Sequence, residues 1–134
     1  MTEQMPAAVA AWHRVVESRD LAGLAPLLAP DVVFRSPAVH APQNGPDITA
    51  AYLAAALAVL GPTIRYEREW YTPDGAVLEF HADLDGTAVH GVDMMRLDAD
   101  GRIVEFTVMV RPLRGLNRLV EEMGKALAAQ RPAA

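Results

Sequence analysis

The chain has 134 residues, of which 51% are hydrophobic and 22% charged. This length suits one domain, and we expect residues 1–134 to form a single domain with a real apolar core. The 17 acidic residues outnumber the 12 lysines and arginines, which gives a net charge of −5 and argues against a nucleic-acid partner. The absence of cysteine excludes disulfides, thiolate metal ligands and cysteine nucleophiles.

The sequence contains no pattern typical of secretion or of membrane insertion. The start, Met1-Thr2-Glu3-Gln4, lacks a basic region and a continuous apolar region, so no signal peptide is predicted. The longest apolar run, residues 50–60, is far shorter than the roughly 20 residues that cross a bilayer. We therefore expect a cytoplasmic protein with no membrane contact.

Two helices are predicted at the start of the chain. Apolar residues recur at helical spacing over residues 6–19, which predicts an amphipathic helix. Asp20 is placed to cap a second, short helix over residues 21–28, which Pro30 and Asp31 end. The apolar face of the first helix is expected to contain Val9, Trp12, Val15 and Val16.

A strand, a loop and a third helix are predicted next. Residues 32–36 are mostly β-branched or aromatic and predict a first strand, which Pro37 ends. Residues 37–46 hold three prolines and an Asn-Gly pair without periodicity, which predicts a loop. Apolar spacing then predicts a helix that begins at Asp47, interpreted as its cap, and ends at Leu60.

The second half of the chain changes from helical periodicity to the alternation of strands. Asp-Gly pairs are typical of tight turns, and they separate four alternating stretches, which predicts an antiparallel meander. The pairs are at 74–75, 85–86 and 100–101. The predicted strands cover 64–71, 76–84, 87–99 and 102–112.

A last helix is predicted from Leu113 onward, followed by a frayed tail over residues 130–134. Helices first and a meander second predict an α+β fold, in which a curved antiparallel sheet packs on the N-terminal helices. Such a cone-shaped sheet leaves a hollow suited to a small apolar molecule.

The order of elements resembles the nuclear-transport-factor-2-like superfamily, and within it the SnoaL-like cyclases and the ketosteroid isomerases. The resemblance covers residues 9 to about 112. Its specific parts are the Arg-Asp-Leu-Ala-Gly-Leu stretch at 19–24, the stretch 30–37, the glycine before the third helix, Gly45, and the Val-Asp-Met-Met-Arg-Leu stretch at 92–97. It implies a cystatin-like roll and a small-molecule pocket.

The resemblance to ketosteroid isomerases can be carried over at one of three catalytic positions. The family's base stands in an acidic residue–proline pair where this chain has Ser36 and Pro37. Its tyrosine on the first helix corresponds to Trp12, which is eight residues before Asp20. Its protonated aspartate corresponds to Asp93. Two of the three roles are altered, so we do not expect a standard ketosteroid isomerase.

Asp93 is the strongest candidate for a functional residue. It interrupts an apolar alternation and should face inward, where desolvation raises the pKa of a carboxyl group. A neutral Asp93 would act as a hydrogen-bond donor or a general acid. His40 in the proline-rich loop and Ser36 at the end of the first strand are expected to assist it at the mouth of the pocket. Predicted ligand contacts are Trp12, Tyr52, Tyr66, Trp70, Met95, Phe106, Val108 and Val110.

The outer face of the sheet is expected to be half-apolar, which favours a homodimer contact. It should carry Glu79, His81, His90, Glu105, Thr107 and Met109. The opposite parity would place Glu79 and His81 inside as an acid–base pair, and alternation does not decide which face carries Tyr66 and Trp70. His13 is expected on the surface. The histidines show no metal-ligand spacing, so neither a metal nor a cofactor is predicted.

Two functions stay open from the sequence. The first is cofactor-free acid/base chemistry on an apolar or polycyclic substrate, such as isomerisation, cyclisation, dehydration or epoxide opening. The alternative is a non-catalytic ligand-binding or dimerisation module of the same fold. A second ionisable side chain facing Asp93 would favour the enzyme, because acid/base chemistry needs a partner for the acid.

Overall fold

The computed structural model describes residues 4–130, which form three helices and six strands. The predicted frayed tail lies outside the described residues from residue 131 onward. The helices are α1 Ala7–Ser18, α2 Pro46–Leu60 and α3 Leu113–Ala129. The strands are β1 Leu28–Arg35, β2 Gln43–Asn44, β3 Arg65–Thr72, β4 Gly75–Leu84, β5 Thr87–Leu97 and β6 Ile103–Arg111.

The six strands form one curved, unclosed sheet in the order β2-β1-β6-β5-β4-β3. Strands β3 to β6 are joined as the predicted antiparallel meander, while β1 pairs with β6 in parallel. The turn between β4 and β5 has positive φ angles at Asp85 and Gly86, 52° and 88°. These angles match the two-residue turn for which an Asp-Gly pair is favoured. No helix among residues 4–130 is long and apolar enough to cross a membrane.

The segment before β1 differs from its prediction. Two short 3-10 turns, Leu21–Gly23 and Ala25–Leu27, replace the predicted second helix. Asp20 does act as a cap, since its carboxylate accepts from the Ala22 backbone N–H at 3.2 Å. Pro26 lacks a backbone N–H, so a continuous α-helix cannot form through this short segment.

Helix α2 begins earlier than predicted. Gly45 is its N-cap, and Asp47 lies in its first turn and is not the cap. The φ angle of Gly45 is 102°, in the region that favours glycine, and Pro46 then occupies the first helical turn.

The helices cover the inner face of the sheet with aromatic contacts. Trp12 of α1 packs edge-on against Phe106 of β6, with ring centroids 5.1 Å apart. Tyr52 of α2 lies 5.5 Å from Phe34 of β1, again between ring centroids. Leu119 of α3 joins a second apolar cluster at the other end of this face. The core therefore lies between the three helices and the inner face.

Gly91 of β5 permits a close approach between β5, β6 and the Phe80 ring within this core. A methyl group at its position would lie 2.4 Å from the Met109 carbonyl oxygen and 2.7 Å from the Phe80 ring. Phe80 thus occupies the space that a side chain at residue 91 would need.

Strand β3 contains an irregularity that the alternation did not predict. Tyr66 pairs with Phe80 and Trp70 pairs with Val77, and the register shifts between Tyr66 and Glu69. The shift reverses the parity of the strand, so Tyr66 faces inward and Trp70 outward. The prediction that these two aromatic residues share a face is therefore wrong.

Candidate functional site

Asp93 lies on the inner face of β5 and is only 5% exposed. It pairs with Leu78 of β4 on one side and Val108 of β6 on the other. Leu78 in turn pairs with Glu69 of β3. Since directly paired residues point to the same side of a sheet, two carboxyl groups share one inner row, with Leu78 between them.

A chain of hydrogen bonds connects Asp93 to the first helix. The Tyr66 hydroxyl donates to Asp93 Oδ2 at 2.7 Å, and Trp12 Nε1 donates to the Tyr66 hydroxyl at 2.9 Å. The second oxygen, Asp93 Oδ1, has no hydrogen-bond partner among residues 4–130. This oxygen is not completely enclosed, because the fully enclosed, unpartnered side-chain atoms of these residues are on Thr49 and Arg118.

Burial controls the protonation of this network. It raises the pKa of Asp93 from 3.8 to about 7, against the opposing effect of the hydrogen bond from Tyr66, and the charge of Glu69 raises it further. Burial also raises the pKa of Tyr66 well above 10, and the neighbouring Asp93 adds to that rise. Asp93 therefore exchanges its proton near neutral pH while Tyr66 remains a donor.

A second polar group lies beside Tyr66 and was missed by the sequence interpretation. His13 Nε2 is 2.8 Å from Glu69 Oε2, and the Tyr71 hydroxyl donates to Glu69 Oε1 at 2.6 Å. The His13 ring packs edge-on against Tyr66, with centroids 4.8 Å apart. The prediction that His13 lies on the surface is wrong, because the register shift turns Glu69 inward and His13 of α1 covers it.

A cleft between α1 and β3 reaches this group. Its volume is about 570 Å³, and His13, Tyr66 and Glu69 are among its lining residues. Asp93 is one hydrogen bond away from the cleft, through Tyr66. The volume lies within the range of roughly 300–1,000 Å³ that is typical of small-molecule sites.

Ser36 and His40, the two predicted assistants of Asp93, do not join its hydrogen-bond network. Ser36 Oγ accepts from the backbone N–H groups of Ala38 and Val39, at 3.3 and 3.1 Å, and so stabilises the turn after β1. His40 is exposed in the same loop. Ser36 and Tyr52 border a smaller apolar cleft of about 160 Å³ between this turn and α3.

The other predicted ligand contacts divide between the two faces of the sheet. Met95 and Phe106 are buried in the core, and Val108 and Val110 are half-buried on the inner face. Trp70 is on the outer face and 52% exposed, so it cannot line the interior.

The outer face carries a polar cluster around Glu79. Arg68 donates twice to its carboxylate, at 2.6 and 3.0 Å, and His90 Nε2 lies 2.7 Å away. These contacts lower the pKa of Glu79 to about 2. The His81 ring stacks on the His90 ring at 4.3 Å. Glu79 and His81 are therefore outside, so the alternative parity, with both inside as an acid–base pair, is wrong.

The family model described as a SnoaL-like domain matches residues 9–106 of the chain. The chain belongs to the SnoaL-like domain family. A search of curated proteins gave no match.

Solved structures agree with this membership. The SnoaL-like chain is 44% identical to a steroid delta-isomerase from Pseudomonas aeruginosa, over 92% of this chain and 90% of that one, with a TM-score of 0.87. A Silicibacter pomeroyi protein with a cystatin-like fold is 28% identical over 94% and 89% of the two chains, also with a TM-score of 0.87. Proteins described as NTF2-like and as ketosteroid isomerase-like in fold match as well.

A more distant structure shares the fold alone. It is a Mycobacterium tuberculosis protein in complex with estradiol-17beta-hemisuccinate, 22% identical over 81% of this chain and 100% of that one, with a TM-score of 0.61. The predicted cystatin-like, NTF2-like α+β fold of the SnoaL-like chain is thus confirmed.

Proposed function

We propose that this SnoaL-like protein binds a small apolar or polycyclic molecule in the α1–β3 cleft, where Tyr66 faces the polar atom of the molecule and Asp93 lies behind Tyr66. The observation that carries the proposal is the hydrogen bond to buried Asp93 from Tyr66, a residue that lines the cleft. Through this bond a carboxyl group that is almost fully buried can act on a carbonyl or hydroxyl group of a ligand in the cleft.

We further propose that the protein is a cofactor-free acid/base enzyme. Acid/base catalysis needs one group that gives a proton to the substrate and another that takes one away. Two ionisable groups lie near Asp93: Tyr66 is in direct contact with it, and Glu69 is in the same inner row. In this scheme Tyr66 donates its proton to the developing oxyanion and takes up the proton of neutral Asp93. His13, oriented by Glu69, accepts a proton from the substrate.

The name of the Pseudomonas aeruginosa relative suggests steroid isomerisation, but two residues of this chain argue against that reaction. Ser36 stands at the position of the family's base, and its oxygen already accepts from two backbone N–H groups. Trp12 stands at the position of the tyrosine and donates to Tyr66. We therefore expect no enzyme-like conversion of a 5-ene-3-ketosteroid, and little even after Ser36→Asp, as measured by the absorbance of the conjugated ketone.

Binding is tested with estradiol-17beta-hemisuccinate, the ligand of the distant fold relative. We expect calorimetry to detect binding to the native chain, and Asp93→Leu to weaken it by about tenfold, the equivalent of one net hydrogen bond of about 1.4 kcal/mol. Asp100→Asn, in an exposed turn, is the matched control and should bind as the native chain does. Equal binding by Asp93→Leu would contradict the proposed role of Asp93.

Catalysis is tested by NMR with a cyclic ketone deuterated beside its carbonyl group. An acid/base enzyme should exchange these deuterons, and Asp93→Asn should slow the exchange because an amide does not release a proton. Binding of the steroid without any exchange would favour the alternative, a non-catalytic ligand-binding module.

A further inference from the structure

Three side chains that commonly ligate metals converge on the outer face of the sheet, away from Asp93. Glu79 and His81 lie two residues apart on β4, and His90 is directly opposite His81 on β5. One donor atom from each residue lies within 4.8 Å of the other two. The linear spacing of these residues did not predict a site, because the β4–β5 hairpin is what brings them together.

The donor set points to a particular class of metal. Imidazole nitrogen and carboxylate oxygen suit zinc, nickel and copper, whereas calcium and magnesium prefer oxygen alone. The two imidazole rings are stacked face to face at an interplanar angle of 9°, so one ring must rotate for both to direct a nitrogen at the same ion. In the single chain the side chains of His81 and His90 are each a little under one-third exposed, and a metal ion can reach them there from solvent.

The charged side chains around the cluster determine how favourable metal binding would be. Arg68 occupies the Glu79 carboxylate, and Arg111 lies 3.3 Å from His90 Nδ1. Glu67 lies 2.7 Å from His81 and supplies a further negative charge. The Arg68 side chain is 67% exposed, whereas that of Glu79 is 5% exposed. Arg68 can therefore swing into solvent while Glu79 remains fixed on the sheet, and a metal ion would replace the positive charge that Glu79 loses.

We propose that Glu79, His81 and His90 form a binding site for a divalent transition metal of the zinc class, with Arg68 as a competing cation. The three side chains would supply three ligands and leave the remaining positions open to water. The site is separate from the proposed ligand cleft and does not depend on the proposed function.

Trp70 provides an internal reporter for this site. It borders the same cleft as Glu79 and His90, and the Arg68 guanidinium lies 5.6 Å from the centroid of its ring. The only other tryptophan, Trp12, is buried in the core on the opposite face. Nickel at the site should therefore quench the fluorescence of Trp70 selectively.

The experiment titrates the full chain, first treated with a chelator, with nickel and with zinc at pH 7.5. We expect micromolar binding by calorimetry, with quenching of Trp70 by nickel. His81→Gln and His90→Gln should each weaken binding at least tenfold, whereas His40→Gln, in an exposed loop, should not change it. Circular dichroism verifies that each variant is folded.

Arg68→Gln distinguishes a metal site from an ion-pair cluster. Loss of the competing guanidinium should tighten metal binding several-fold, although it removes two hydrogen bonds from Glu79. The proposal is overturned if the native chain binds neither metal below millimolar concentration. It is equally overturned if the His81 and His90 variants bind as the native chain does, or if Arg68→Gln binds no more tightly.

Discussion

Asp93 should make the stability of this protein depend on pH in an unusual direction. Most carboxyl groups in folded proteins are paired and stabilise the fold as ions. Asp93 is instead buried, and its pKa rises to about 7 from 3.8. Asp93→Asn keeps the shape and an acceptor for the Tyr66 hydroxyl, but it cannot ionise. The variant therefore isolates the cost of the buried charge.

The expected loss of unfolding free energy follows from the difference between the pKa of Asp93 in the folded chain and its pKa in the unfolded chain. About 3 units at about 1.4 kcal/mol each correspond to about 4 kcal/mol. Below about pH 4 both states hold the proton and the contribution of Asp93 to stability is complete. As the pH rises towards 7, only the unfolded chain releases the proton, so the free energy of unfolding of the native chain falls. Above about pH 7 both states are ionised and the loss is finished.

The assay is urea unfolding of the native chain and of Asp93→Asn at several values between pH 5 and 8. The difference in unfolding free energy should shift in favour of the variant by about 3 kcal/mol across this range. The acidic groups with lowered pKa values, Glu79 and Glu105, titrate below this window and are shared by both chains. A difference that does not vary with pH would refute a raised pKa for Asp93.

Two further predictions concern packing and assembly. Gly91→Ala should lower the unfolding free energy by about 1–3 kcal/mol, because the methyl group would meet the Met109 carbonyl oxygen and the Phe80 ring. Gly124→Ala is the control, because its added methyl group would lie within 4 Å of no other atom. Equal urea midpoints for the two variants would contradict the packing argument. The exposed Met109 and its neighbours on the outer face should form a homodimer contact. Met109 borders the same cleft as Glu79 and His90, so this contact would also cover the proposed metal site. Light scattering without added metal should give about twice the mass of one chain, and Met109→Glu should give a monomer. A native chain that stays monomeric at high concentration would contradict this.

The sequence was sufficient for the order of the three long helices, for the meander and for the position of Asp93, but it predicted a helix where two 3-10 turns form and a loop where β2 lies. The correct predictions depend on local patterns: the helical spacing of residues 6–19, the Asp-Gly turns of the meander, and the alternation around Asp93 on a regular strand. Each of these signals repeats within a few residues, so no contact with a distant part of the chain is needed to interpret it.

The sequence did not predict the hydrogen-bond partners of Asp93. Tyr66 and Trp12 were predicted to line the pocket, but the bonds that connect them to Asp93 join residues 27 and 54 positions apart in the chain. Spacing carries no information about contacts at that range, since they depend on how α1 and β3 pack against the same end of the sheet. The clustering of Glu79, His81 and His90 likewise depends on the register of a hairpin.

The composition and periodicity of this sequence determined an α+β fold with an inward aspartate, because burial of apolar faces imposes those patterns on each element separately. Only the tertiary structure decided the surroundings of that aspartate. One irregularity in β3 turned Glu69 inward and Trp70 outward, and thereby placed His13 beside Tyr66. Such an irregularity reverses the face of the sheet to which every later residue of the strand points. It arises from pairing with β4 and leaves no local signal in the sequence.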